Sequence, residues 1–428
     1  MDYKQTTAIL FRRVRVALFV ALIFAAGYGF GTAGQAADAQ SRIRLPDGAE
    51  ALFDPLFEAF NMINREYIEP VPPEELIDGA IRGMMLALDD PYSNYVNAEY
   101  FPFIGGDLEG SIEGIGVIIN EMEEGGRVQI LTVLPDTPAE RSGLQVGDIF
   151  YAVEGENVEG LTNLELAARV RGPAGTSVAL TILRGDDLID FDVRRERIEV
   201  PNVEHELLDD DIAYISMAQF TTLSRQQVEQ ALADLSVNSR RGLIFDLRGN
   251  SGGYLSAAVD IAALFIEEGT ILIEEFAEDR VDTFKIIEDQ AYRIDENGNQ
   301  RLYSTRATYA GVNVPVVVLV DERSASAAEL VTGAWQDNNA VTVIGVPTFG
   351  KGTVQTQRQL VNGGGVRLTI ARWLTPAGRS ISGEGVLPDV VVAMPEEDEI
   401  EAETGADVQL QAAIDFLLAD NLIEQSAD

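Results

Sequence analysis

Two serines and one lysine stand out in the stretch from Val316 to Gln355, VVVLVDERSASAAELVTGAWQDNNAVTVIGVPTFGKGTVQ. Ser324 and Ser326 carry the hydroxyls, and Lys351 sits between two glycines. Composition narrows the chemistry open to them. The chain has one histidine, His205, and no cysteine. Cys/His catalysis therefore cannot be assembled, and Ser/His/Asp catalysis would need His205 as its base. His205 lies between two glutamates in VEHELL, where a solvated linker residue is expected. Lysine is nearly as rare, with Lys4, Lys285 and Lys351 set against twenty-eight arginines. Arginine keeps its proton at working pH, whereas a desolvated lysine can lose it and act as a base. Composition thus favours a Ser/Lys pair suited to covalent acyl transfer. The competing structural reading makes Ser326-Ala-Ala-Glu329 a helix capping box.

These residues need elements to aim them. The β-branched run Val316 to Val320 reads as a buried strand, and Ala327 to Gln336 has helical composition. The serines then occupy a strand-to-helix junction, which points a backbone N–H at whatever lies before them, as acyl transfer requires. A second apolar run, Val341 to Val346, leads to the Gly-flanked Lys351. Upstream, Ile212 to Met217 and Gly242 to Leu247 read as strands, with helices at Ser224 to Leu235 and Tyr254 to Ile266. The second strand runs into RGNSGG, which is not GxGxxG and lacks a P-loop lysine. Glycines there let backbone amides approach a substrate carbonyl. Ile271 to Leu302 is polar and irregular, an expected surface excursion in which Lys285 is a solvated charge. Thr353 to Val361 and Val366 to Leu374 read as a hairpin across Asn362-Gly-Gly-Gly365.

The strings SASAAEL, FGKGTVQ, DLRGNSGGYL and WLTPAGRSISGEGVLPD resemble those of the C-terminal processing peptidases, the tail-specific serine endopeptidases of family S41. The resemblance runs from about Leu52 to the C-terminus. It implies Ser326 as nucleophile, Lys351 as general base and Gln355 as the residue orienting the lysine. It also implies an oxyanion hole made by the amides of Ala327 and Gly252. DDPYSNY, residues 89 to 95, reads as a turn and resembles the family's DP-x-S-x-Y element.

Residues 105 to 198 resemble a PDZ domain in the circular order these peptidases use. Gly114-Ile-Gly-Val117 matches its carboxylate-binding loop, with Ile115, Gly116 and Val117 forming a nest of amides for a chain-terminal carboxylate. Val117 to Glu121 would pair with the incoming peptide, and a helix after Thr162, capped with Glu165, would form the other wall. Arg171 matches a family arginine within reach of the core, and equally fits a C-terminal charge satisfying its helix dipole.

The remaining features set class and compartment. A chain of 428 residues calls for two or three domains, and its net charge of −39 argues against nucleic acid as partner. Residues 1 to 40 read as a signal peptide or membrane anchor, with a basic flank at Lys4, Arg12, Arg13 and Arg15 before VALFVALIFAAGYGF. An exported protein, touching membrane only through that segment, is expected. Residues 41 to 104 form an N-terminal helical segment with an apolar stripe of Leu52, Leu56, Phe57, Phe60 and Ile63, suited to a core or a subunit contact. Residues 199 to 394 form the peptidase core, and 395 to 428 an acidic linker and a last helix. The expected fold is thus a multidomain α/β and α+β chain, with an inserted PDZ domain and a ClpP/crotonase-like core. Expected partners are peptides or proteins with apolar C-termini, an adaptor or activator, and a second copy of the chain. No metal or cofactor is expected. Two other classes stay open: a non-catalytic binding scaffold and a crotonase-like acyl-CoA enzyme.

Overall fold

The computed structural model describes residues 50–101, 110–122, 127–199, 202–394 and 407–425. The expected targeting segment and the acidic run from Pro395 to Glu403 lie outside these residues. Among the described residues no helix is long and apolar enough to cross a membrane. The chain divides into two units, Met1–Ala80 and Ile81–Asp428. The first contains helix α1 (Glu50–Glu66) and the start of α2 (Pro73–Leu86). Leu52, Leu56, Phe57 and Ile63 are exposed in the single chain, so that stripe builds no core of its own.

In the second unit the chain makes β1 (Asn94–Val96), then β2 (Ser111–Gly114), which pairs antiparallel with β9 (Glu196–Glu199). This two-stranded ribbon carries both chain connections of the domain between them. That domain holds β3 (Val117–Glu121), β4 (Val128–Val133), α3 (Pro138–Ser142), β5 (Ile149–Val153), β6 (Glu156–Asn157), α4 (Asn163–Val170), β7 (Ser177–Arg184) and β8 (Asp187–Arg194). Its sheet runs β3-β4-β5-β7-β8 with β6 on β5, so β3 is an edge strand. Its own core gathers Ile115, Val128, Ile130, Phe150, Leu166, Leu180 and Ile182.

The larger domain is built on a six-stranded sheet. It comprises β10 (Val203–Leu208), β11 (Ile212–Met217), β12 (Gly242–Asp246), β17 (Val316–Val320), β18 (Thr342–Gly345) and β21 (Val390–Val391), in that order across the sheet. All neighbours are parallel except β10 and β11. Helices α5 (Ser224–Asp234), α6 (Leu255–Ala262) and α7 (Ala327–Asp337) lie with one face, and α8 (Val408–Gln425) with the other. The central strands β12 and β17 read as nearly unbroken apolar runs because both their faces are buried. Phe245, Val318 and Val320 join the first core, where Phe245, Phe265 and Trp335 stack edge-on at 4.9–6.0 Å. Ile244, Val317 and Leu319 face Ala413 and Leu417 of α8.

A seven-stranded antiparallel sheet packs beside it, in the order β1-β20-β13-β14-β15-β16 with β19 also on β20. It uses β13 (Gly269–Phe276), β14 (Val281–Ile287), β15 (Gln290–Asp295), β16 (Gln300–Ser304), β19 (Thr353–Gln359) and β20 (Gly365–Leu374). The expected hairpin is present as β19 and β20. The expected excursion at Ile271 to Leu302 is instead a four-stranded meander. Its pattern is masked because inward positions carry charge: Glu274 and Asp282 are buried around Arg293, at 3.2 and 2.5 Å. Burial pushes the Glu274 carboxyl up to about 7, against the pull of Arg293. Lys285 is exposed as expected. His205 is not in a linker but within β10, 3.5 Å from Asp234.

Leu417 is fully buried against the second face, where a Cβ added to Gly242 would lie only 2.7 Å from it. Leu417→Ala should therefore cost about 2–5 kcal/mol by cavity formation. Urea unfolding checks this, and a loss below ~1 kcal/mol would show that α8 contributes little to the core.

Candidate active site

Three neighbouring parallel strands, β12, β17 and β18, send loops off their carboxyl ends, the place where open α/β sheets bind ligands. The β12 loop is Leu247 to Gly253, the β17 loop runs from Asp321 to Ser326, and the β18 loop ends at Lys351. Hydrogen bonds zip the first two together. Asp321 accepts from the Gly249 N–H at 2.8 Å, Ala325 N donates to Asn250 O at 2.9 Å, and Ser324 Oγ donates to Leu247 O at 2.7 Å. Although burial opposes its charge, Asp321 is held below the usual carboxylate range by the Gly249 N–H and Arg323. Ser324 is fully buried and spent on this scaffold, which leaves Ser326 as the half-exposed hydroxyl.

Ser326 has φ 55° and ψ −113°, a conformation that L residues rarely adopt. The strain sits at the turn from β17 into α7. It leaves Ala327 at the first helical position, whose N–H has no intrahelical acceptor. Among the described residues no other group takes that N–H. Gly252, at φ 101°, presses directly on this segment. A Cβ there would lie 2.8 Å from Ser326 Cβ and 2.9 Å from Ala327 N. Its own N–H, expected as the second oxyanion donor, points elsewhere, donating to Asn250 Oδ1 at 2.9 Å in a short side-chain turn. Serving an oxyanion would require that bond to be shared or exchanged.

Glu329, read from sequence as a cap, is the hub of the site. Its carboxylate is fully buried and accepts four hydrogen bonds. Oε2 takes Ser326 N at 2.7 Å and Lys351 N at 2.9 Å, and Oε1 takes Thr348 Oγ1 at 2.7 Å and the Gly350 N–H. The backbones of Ser326 and Lys351 thus meet at one oxygen atom. Phe349 N adds a bond to Ser324 O at 3.0 Å. The glycines beside Lys351 serve a tight approach to the Ser382 to Glu384 turn: a Cβ on Gly350 would meet Gly383 N at 2.9 Å, and one on Gly352 would meet Ser382 Oγ at 2.5 Å.

The Lys351 side chain is half-buried. Burial first, and then Arg367, push its pKa below the ordinary lysine value, while Glu329 and Asp90 oppose the shift. Its Nζ stands 4.8 Å from the centre of the Tyr92 ring, and among the described residues no hydrogen bond joins it to Ser326 Oγ. Among the described residues Gln355 makes no hydrogen bond to the lysine amine. It lies opposite Thr369 across a bulged pair of strands, and its Nε2 donates to Thr353 Oγ1 at 2.9 Å and Thr369 Oγ1 at 3.2 Å. Tyr92 went unread because a tyrosine in a Pro-containing turn carries no chemical signature of its own. His205 contacts Asp234 and is no part of the site.

The loop, strand and helix expected to receive a peptide lie on the smaller domain. Ile115 is buried with its carbonyl accepting from Ala139 N, and Gly116, at φ 90°, has Thr137 so close that a Cβ would clash at 2.4 Å. The edge strand β3 begins at Val117. The Thr162/Glu165 capping box opens α4 as expected. Arg171 caps the other end of α4, and its Cγ is 3.7 Å from where a Gly114 Cβ would be.

The hub makes a sharp expectation. In Glu329→Gln one acceptor oxygen becomes a donor facing N–H groups, leaving buried donors unsatisfied at about 1–3 kcal/mol each. Hydrolysis should fall about 10–100-fold or more while the chain stays folded. Unchanged turnover in a folded Glu329→Gln protein would show that the two loops register without it.

The family model described as Peptidase family S41 matches residues 211–392, a PDZ domain model matches 129–184, and one described as the activating protease CtpB N-terminal domain matches 32–100. The carboxy-terminal processing protease CtpA of Bacillus subtilis is 34% identical over 348 residues, covering 81% of this chain and 70% of that protein. A carboxyl-terminal-processing protease of Synechocystis is 33% identical over 374 residues, covering 85% and 83%. The solved structure of a photosystem II D1 C-terminal processing protease is 26% identical with a TM-score of 0.47, covering 79% of this chain and 92% of that one. The chain therefore belongs to the carboxy-terminal processing proteases, PDZ-containing serine peptidases of family S41.

Proposed function

We propose that this chain is an exported serine endopeptidase in which Lys351 activates Ser326 and the PDZ domain selects substrates by their C-termini. The observation that carries the reading is the shared Glu329 oxygen, which fixes the backbones of Ser326 and Lys351 at 2.7 and 2.9 Å from one atom. The lysine stem then has only to swing. Neutral Lys351 Nζ takes the Ser326 proton as Oγ attacks the peptide carbonyl. Negative charge on the tetrahedral oxygen is met by the Ala327 N–H, with Gly252 N–H as second donor once released from Asn250. Lys351 gives the proton to the leaving amine; neutral again, its Nζ takes a proton from the water that attacks the ester and returns it to Oγ as Ser326 is regenerated. Gln355 would join the lysine only after leaving Thr353 and Thr369.

Substrate selection follows from the edge strand. A peptide adds to β3, and its terminal carboxylate meets the amides of Ile115 to Val117. Arg171, beside Gly114, is the remaining residue proposed for the substrate site. Export rests on the basic and apolar character of residues 1 to 40. A homo-oligomer is supported by the apolar stripe of α1, exposed in the single chain, and an activating adaptor is part of the same proposal.

A serine-directed phosphonylating probe should mark Ser326 and no other serine, and Ser326→Ala should abolish both labelling and casein digestion. Modification elsewhere with Ser326 untouched rejects the assignment. Amidating a substrate's C-terminus removes charge-assisted hydrogen bonds worth about 1.5–3 kcal/mol and should weaken cleavage roughly tenfold or more. Equal rates for acid and amide would remove the PDZ domain from selection. Because only neutral Lys351 is a base, activity should rise with pH through its lowered pKa. A flat profile from neutral to alkaline pH in a stable enzyme would count against Lys351.

A further inference from the structure

The turn that carries the ring beneath Lys351 is anchored on both sides. Tyr92 N donates to Asp90 Oδ1 at 3.0 Å, Ser93 Oγ donates to the other Asp90 oxygen, and Thr369 N donates to Ser93 Oγ at 3.0 Å. Two residues later β1 pairs with β20 at Asn94 and Arg367. The backbone that carries the ring is therefore tied down on both sides of Tyr92, against the strand that also carries Gln355's partner Thr369. Lys351 is equally fixed at its backbone, its N–H on Glu329 and its carbonyl accepting from Trp373 Nε1 at 3.2 Å. Only the stem and amine are left to move. The amine rests 4.8 Å from the ring centre, within cation–π range.

We propose that Tyr92 is a positioning residue, the dock on which Lys351 rests while it carries its proton, and that loss of the proton releases the amine toward Ser326. This rests on Lys351 being the general base. The ring's negative face attracts an ammonium but not a neutral amine. Generating the base and freeing it thus become one event. The other charged groups facing the amine are Arg367 on β20, which repels it, and Glu329 on α7 and Asp90 in the turn, which attract it. The ring acts on the side of the two carboxylates, so removing its electrons should favour the neutral amine.

The test reads the amine directly in the full chain carrying Ser326→Ala, where no turnover intervenes. Acetylation of Lys351 by acetic anhydride is followed against pH by peptide-mapping mass spectrometry, giving the midpoint of its titration. Tyr92→Phe should keep the midpoint, Tyr92→Leu should lower it by about half a pH unit. A series of increasingly fluorinated phenylalanines at position 92, which drains the ring at nearly constant volume, should lower it stepwise and serves if the leucine variant does not fold. The acid limb of hydrolysis in proteins with Ser326 intact should move in the same direction. A midpoint indifferent to fluorination overturns the dock even if Lys351→Ala is inactive. Hydrolysis surviving in Lys351→Ala overturns the base reading, and with it the release step, whatever the midpoint does.

Discussion

One buried carboxylate holds the two halves of the site in register. Glu329 sits inside a helix, a turn beyond Ser326, and collects donors from both the β17 loop and the β18 loop. A buried charge is costly unless its hydrogen bonds are complete. Any displacement of the lysine loop would strip that charge of donors, so electrostatics and geometry enforce the same arrangement. The strained backbone at Ser326 can persist because β17 behind it and α7 ahead of it are both deeply packed, and Ser326 N is itself tied to Glu329. The glycines at 252, 350 and 352 are the complement of this rigidity. They are the positions where a Cβ would drive the loops apart.

Within that fixed frame the side chains of Lys351 and Gln355 are turned to Tyr92 and to the Thr353/Thr369 pair, and the Gly252 N–H to Asn250. The backbones of Ser326 and Lys351 are thus tied to one carboxylate, while among the described residues no hydrogen bond joins their side chains. The ribbon of β2 and β9 supplies the covalent route between the peptide-binding domain and this scaffold, and Gly110 at its start lies against Leu223, before α5.

Much of this was legible in the residues. The strands at 212–217, 242–247 and 316–320 were readable, the last most plainly because burial on both faces leaves an unbroken β-branched run. The glycine-rich turns announced close backbone approaches, and rarity singled out Lys351. Three features hid. The meander at 269–304 was missed because Glu274, Asp282 and Arg293 fill inward positions, so its charges looked like a solvated loop. His205 looked like a linker residue because an edge strand half open to water carries polar side chains. Glu329 was readable as a cap, and correctly so for the Ser326 N–H. Its grip on Gly350 and Lys351 depends on a contact across some twenty residues, which no local pattern encodes.

The placement of α8 has a consequence for how the protein comes into being. Until residues 407–425 have left the ribosome, Ile244, Val317, Leu319 and Ile344 present a bare greasy surface. Arg248, one residue from the glycine loop, meanwhile lacks Asp407 and Gln409, the partners that join its salt bridge to Asp246. The loop beside Ser326 is therefore among the last parts to be secured, although its sequence emerges long before.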